Sequence, residues 1–332
     1  METTITVRKV DLTVWKEFQK RIVEIYGNLY GNIGREVTNA LSLWLKRNKP
    51  GTQPSILQTG KPASYKDIGG LKEEIIKMKE LVELPLRHPE LFKRLSLKPP
   101  KGVLLHGPPG AGKNMLARAA ANEAGANLYV VSIPDLMDRF YKGSEEELLG
   151  IFRMAREKAP SVILISELEA IGSKEKGWAT EVGSRILSQL MAAMDSLEDF
   201  ERVVVIALVN SPESLIPALR RKGRFDHEIK VDLPDEEGRY EILEIQTRKM
   251  PLAKDVDLRK LAKMTEGWAG KELYELCQEA ALSALRRSLD SMDLVVERIP
   301  ENVLQSIVVT MKDFLKTYST MQPSNRPRTD FN

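Results

Sequence analysis

The 332 residues are 42% hydrophobic and 29% charged, with a net charge of +3, the ordinary balance of a soluble globular protein long enough for about two domains. Cys277 is the only cysteine, and His88, His106 and His227 stand apart from one another, which excludes an intramolecular disulfide and any zinc-type ligand spacing. The longest apolar run, Val203 to Val209, falls far short of the ~20 residues of a membrane helix, and Met1 to Thr4 lack the basic-then-apolar plan of a signal peptide, so a cytoplasmic protein without a membrane partner is expected.

Residues 4–10 begin with strict alternation and predict a short strand, with Ile5 and Val7 on one face and Thr4, Thr6 and Arg8 on the other. From Asp11 the period becomes helical through Leu12, Trp15, Phe18, Ile22 and Ile25, with a stop near Gly27. A second helix is predicted after Gly31, capped by Asn32 and carrying Ile33, Val37, Leu41 and Leu45 on one stripe.

A unit of this size, residues 1–48, buries too little apolar surface alone, and its lone strand needs a partner for its backbone groups; dimerisation supplies both. The strand-helix-helix order resembles the ribbon-helix-helix family, whose paired strands lie in the DNA major groove. That resemblance implies N-terminal dimers, with Thr4, Thr6 and Arg8 facing base edges and the start of the second helix meeting a phosphate. All of the chain's net positive charge falls within residues 1–48, which suits a polyanion. The same elements also suit a protein-docking or dimerisation cap, with the threonines solvated.

Residues 49–63 are rich in proline and glycine and predict a semi-extended linker. A larger α/β unit is expected to begin at residue 64. Within it, Gly102 to His106 form a buried-strand pattern that runs into Gly107-Pro108-Pro109-Gly110-Ala111-Gly112-Lys113-Asn114, followed by a helical stretch from Met115 to Glu123. A strand, then Gly-x-x-x-x-Gly-Lys, then a helix is the setting of a phosphate-binding P-loop. Pro109, Gly110, Ala111, Gly112, Lys113, Asn114 and Met115 are therefore the predicted nucleotide-binding run. Backbone N–H groups curl around phosphate oxygens, the helix start adds positive potential, and Lys113 reaches the β- and γ-phosphates of ATP or ADP.

From Asp67-Ile68-Gly69-Gly70, through Leu84-Pro85-Leu86-Arg87-His88-Pro89 and the P-loop, to Ala218-Leu219-Arg220-Arg221-Lys222-Gly223-Arg224-Phe225-Asp226, the chain is similar to the first ATPase module of the valosin-containing-protein family of AAA ATPases. The likeness covers roughly residues 64–318. It implies an AAA α/β domain over 64–233 with a five-stranded parallel sheet, a helical lid over 234–320, a flexible tail over 321–332, and assembly of six copies into a homo-hexameric ring. It further implies that Asp67, Gly69, Gly270 and Lys271 line the adenine, that Asn210 positions the attacking water, and that Arg221 and Arg224 are arginine fingers for the neighbouring subunit. Phe140 and Tyr141 stand where the family has an aromatic pore loop that grips a polypeptide client; local packing against the following helix is the alternative.

Two positions depart from the family pattern. Val162-Ile163-Leu164-Ile165-Ser166-Glu167 has Ser166 where an Asp is expected, although Glu167 remains to orient or deprotonate water. Asn114 replaces the hydroxyl residue that ligates Mg²⁺ after the P-loop lysine. Strongly reduced hydrolysis with ATP binding retained is the leading expectation, and mutual compensation that preserves a slow ATPase is the other. Three functions are carried forward: a DNA-associated ATP-binding ring, a motor that remodels or unfolds a protein client, and a transcriptional regulator whose DNA affinity depends on nucleotide.

Overall fold

The computed structural model describes residues 12–29, 32–47, 63–140, 147–172, 181–289 and 301–321. The chain divides into two units, Met1–Ser55 and Ile56–Asn332.

In the first unit, Leu12–Tyr26 and Asn32–Arg47 are helices. Gly27, at φ 75°, turns the chain after the first of them, a conformation open to glycine at no steric cost. Ile22 is buried, Trp15 and Phe18 lie 5.7 Å apart, and the Tyr26 hydroxyl donates to Glu36 Oε1 at 2.8 Å. Asn32 is the first helical residue rather than the cap, and its Nδ2 donates to Asn28 Oδ1 at 3.0 Å. The strand expected at residues 4–10, with Thr4, Thr6 and Arg8, lies outside the described residues, as do most of the linker and residues 322–332.

The second unit is built on a five-stranded parallel sheet, β1 Gly102–His106, β2 Asn127–Ser132, β3 Ser161–Ser166, β4 Val203–Val209 and β5 His227–Lys230, in the order β2-β3-β4-β1-β5. Every residue of the central strand β4 is buried, as a parallel strand covered on both faces requires. Side chains alternate between the two faces. Leu104, Ile163 and Val205 pack with Leu148, Phe152, Leu190 and Phe225 on one side, and Leu105, Leu164 and Ile206 pack with Met78, Val82, Leu116 and Ala117 on the other. This agrees with the AAA architecture expected from the resemblance.

The lid follows. Glu236–Thr247 and Leu258–Met264 are capped by Asp235 and Asp257, whose carboxylates accept the N–H groups of Gly238 and Lys260. With Gly270–Leu289 and Met311–Thr320 they enclose a separate core that includes Leu243, Trp268, Leu273, Cys277 and Phe314. No helix among the described residues is long and apolar enough to cross a membrane.

Candidate nucleotide site

The site forms where β1 ends. Gly107 sits at φ 143°, and a Cβ there would stand 2.0 Å from the Val231 carbonyl oxygen, so the chain passes only because the residue is glycine. Gly110 and Gly112, at φ 80° and 101°, complete the loop, and the helix Lys113–Glu123 starts from it. The Lys113 ammonium folds back under the loop and donates to the carbonyls of Gly107 at 2.5 Å and Pro108 at 2.9 Å, and to Asn210 Oδ1 at 3.5 Å. Burial pushes the Lys113 ammonium below its ordinary pKa, with the nearby Glu169 carboxylate pulling the other way. A buried cation beneath the N-terminus of a three-turn helix makes a site of positive potential.

The lid closes the opposite wall. The Lys271 N–H donates to the Gly110 carbonyl at 3.2 Å, and a Cβ on Gly110 would lie 3.2 Å from both Ala269 and Lys271. The entry segment Asp67 to Gly70 is held against the helix Glu236–Thr247. Glu241 accepts the Gly70 N–H at 2.9 Å and pairs with Lys72 at 2.5 Å. Gly69 approaches so closely that a Cβ would meet the Ile242 backbone nitrogen at 2.8 Å.

These walls enclose a cavity of 660 Å³, the size of a small-molecule cofactor site. Asp67, Gly69, Pro109 to Met115, Ser166, Glu167, Asn210, Gly270 and Lys271 all line it, together with Glu169, Ile242 and Tyr274. Arg221 and Arg224 are absent from this lining. Tyr141, Thr4, Thr6 and Arg8 fall outside the described residues, and Phe140 is described only as the last residue of the helix Ile133–Phe140.

Glu167 follows β3 with φ 57°, a left-handed conformation that is uncommon for a residue with a side chain. Its carboxylate is exposed to the cavity. Glu169, which the sequence reading missed, is half-buried and accepts the Asn210 N–H. The signal was its position two residues beyond Glu167, at the start of the helix Glu169–Gly172.

The two altered positions are committed elsewhere. Asn114 Oδ1 accepts from Arg118 Nε at 2.9 Å, and the Ser166 hydroxyl donates to the Val131 carbonyl at 3.4 Å. Mg²⁺ requires hard oxygen ligands in a near-ideal octahedron. The amide oxygen of Asn114 faces a guanidinium, and Ser166 brings no charge, so the residues at these positions do not fit that ion.

The arginines differ from each other. Arg224 makes three hydrogen bonds within the chain, two to Asp195 and one to the Ala218 carbonyl at 2.7 Å. Arg221 is exposed and has no side-chain hydrogen bond or ion pair among the described residues.

Residues 103–233 match the family described as ATPase family associated with various cellular activities (AAA), and residues 255–295 match the AAA+ lid domain. The chain is 51% identical over 261 residues to a cell division cycle protein 48 homolog of Archaeoglobus fulgidus, a match covering 79% of this chain and 36% of that protein. It is 48% identical over 263 residues to the protein SAV of Sulfolobus acidocaldarius, covering 79% and 34%. Against the protein CdcH of Halobacterium salinarum it is 46% identical over 267 residues, covering 80% and 36%. The matched part thus spans about a third of the length of these curated relatives.

Proposed function

The ATPase module of this chain belongs to the AAA family, and from that premise we propose that the protein binds ATP to assemble a homo-hexameric ring and hydrolyses it slowly. The observation that carries the reading is the Lys113 ammonium, held by the loop's own carbonyls at the head of the helix Lys113–Glu123 and lining the cavity. On this reading the N–H groups of the P-loop and Lys113 take the phosphates, while Asp67, Gly69, Gly270 and Lys271 take the adenine where lid and entry segment meet. Asn210 and Glu167 orient the water, and Glu169 fixes Asn210 through its backbone N–H. Arg221, exposed and unengaged among the described residues, is suited to reach a neighbouring subunit's phosphates.

Slow turnover follows from Asn114 and Ser166. Two disturbed metal-handling positions at about 10–100-fold each correspond to roughly 10²–10⁴-fold in rate. The test is ATP binding by calorimetry, turnover against a Glu167→Gln blank, and mass by light scattering with and without ATP. Lys113→Ala is expected to abolish binding, wild-type turnover to sit near the blank, and ATP to raise the mass. A Lys113→Ala variant that still binds ATP would sink the site. Fast turnover that collapses in Glu167→Gln would favour the alternative, a working motor that remodels a polypeptide client.

The N-terminal unit is a candidate for duplex DNA, because the chain's net positive charge lies within residues 1–48. Arg8→Ala is expected to weaken duplex binding and flatten its salt dependence, as removal of a basic groove contact does. Affinity that does not vary with salt would remove DNA as the partner.

A further inference from the structure

ATP in this cavity would need its phosphate charge balanced, and we propose that this chain binds its nucleotide without a divalent cation. The proposal rests on the ATP reading and concerns the two positions that set this site apart.

Asn114 follows Lys113 in the first turn of its helix, where a cation bridging the phosphates would need an oxygen. Its only side-chain oxygen already accepts from Arg118 Nε at 2.9 Å, one helical turn away. A metal ion on that oxygen, at about 2.1 Å, would lie no more than about 5 Å from the guanidinium nitrogen. Two cations would then compete for one neutral carbonyl, and their repulsion opposes binding. The other arm of the side chain is an NH₂ group, which donates. Such a donor suits a bare phosphate oxygen and not a metal ion.

Ser166 acts in the same direction. At the end of β3 it brings a neutral hydroxyl directed at the Val131 carbonyl. A carboxylate at this point would repel a polyanion unless a cation stood between them; serine removes that need. Positive potential remains from Lys113, the loop N–H groups and the helix N-terminus. Of the two carboxylates on this side of the cavity, Glu169 is tied to the Asn210 N–H.

The deciding experiment titrates the full chain with ATP by calorimetry, once in excess MgCl₂ and once in EDTA. Because Mg²⁺ sequesters the free nucleotide that the site takes, the apparent affinity is expected to be at least about tenfold weaker in excess MgCl₂ than in EDTA. The double variant Asn114→Thr, Ser166→Asp is expected to bind at least about tenfold tighter with Mg²⁺ than with EDTA. In a second measurement that needs no variant, the paramagnetic resonance spectrum of Mn²⁺ with ATP is recorded before and after adding wild-type protein. It is expected to show manganese left behind on free nucleotide and none on the protein complex. Wild-type binding as tight in MgCl₂ as in EDTA, or tighter, or a protein-bound manganese signal, overturns the proposal alone. No binding under either condition overturns it together with the ATP reading of the cavity.

Discussion

Arg224 and Asp195 are joined by two parallel hydrogen bonds, Nε to Oδ1 at 2.8 Å and Nη2 to Oδ2 at 2.7 Å. The pair ties the loop after residue 219 to the end of the helix Glu181–Asp195, and it holds the Asp195 carboxyl below the ordinary carboxylate range. Arg224 thereby joins two segments of its own chain. Arg224→Ala and Asp195→Ala are each expected to lower stability by about 1–2 kcal/mol, discounted because Asp195 is largely exposed, and to be non-additive together. Arg221→Ala should leave stability unchanged. Urea denaturation of the double-mutant cycle reads this, and additive single effects would show that the pair is not coupled.

Glu241 couples the lid to the entry segment. It takes the Gly70 N–H and the Lys72 ammonium at once, across the contact where Gly69 meets Ile242. Glu241→Ala should release that segment from the wall of the cavity and weaken ATP binding about threefold to tenfold, equivalent to at most about 1.4 kcal/mol. Gly69→Ala should do the same by forcing the two backbones apart. Affinities matching wild type in both variants would mean that the segment takes no part in binding.

Much of this site is legible in the sequence because its chemistry is local. The glycines and lysine of the P-loop sit at fixed spacing between an apolar run, which is β1, and a helix, and the runs at 102–106 and 203–209 read directly as buried strands. β5 gives no such signal: only Ile229 of its four residues is buried, so no pattern can form. The pairing of Arg224 with Asp195 was beyond sequence reasoning, since the two lie 29 residues apart and are brought close by packing. Asn114 and Arg118 stand four apart on a helix, a spacing that places side chains together. That contact was available from the sequence, and only the geometry gave it weight.

Asp313 makes the lid sensitive to acid. It is 5% exposed and accepts from Thr310 N, Thr310 Oγ1, Ser283 Oγ and Arg287, joining the helices Gly270–Leu289 and Met311–Thr320. Burial pushes its carboxyl up, but these hydrogen bonds outweigh burial and hold it below the ordinary value. A depressed folded-state pKa contributes stability that is present above the unfolded value of about 3.9 and is lost as the pH falls through the folded value. Asp313→Asn should therefore cost about 2 kcal/mol at neutral pH, since Arg287 keeps access to solvent, and progressively less below about pH 3.9. Denaturation of both proteins across that range checks the sign, and a gap that widens on acidification would contradict it.

Glu167 holds a conformation that its own side chain disfavours. With φ at 57° it sits between β3 and the helix Glu169–Gly172, where the Ala170 N–H closes a turn on the Glu167 carbonyl at 3.0 Å. The left-handed region costs a residue with a Cβ about 1–2 kcal/mol, and asparagine several tenths less because its short polar side chain suits it. Its carboxylate is exposed to the cavity, so its own side chain contributes little packing to offset the strain. Strain of this kind persists where the surroundings over-determine the backbone, as they do at functional sites. Glu167→Asn is expected to raise stability by about 0.5–1 kcal/mol while removing whatever turnover the protein has. A thermal melt and a phosphate-release assay on one preparation separate the two effects. A variant that melts earlier than wild type would show that the carboxylate supports the fold. One that melts later and loses a turnover the wild type measurably has would show that glutamate is kept here for chemistry at the expense of stability.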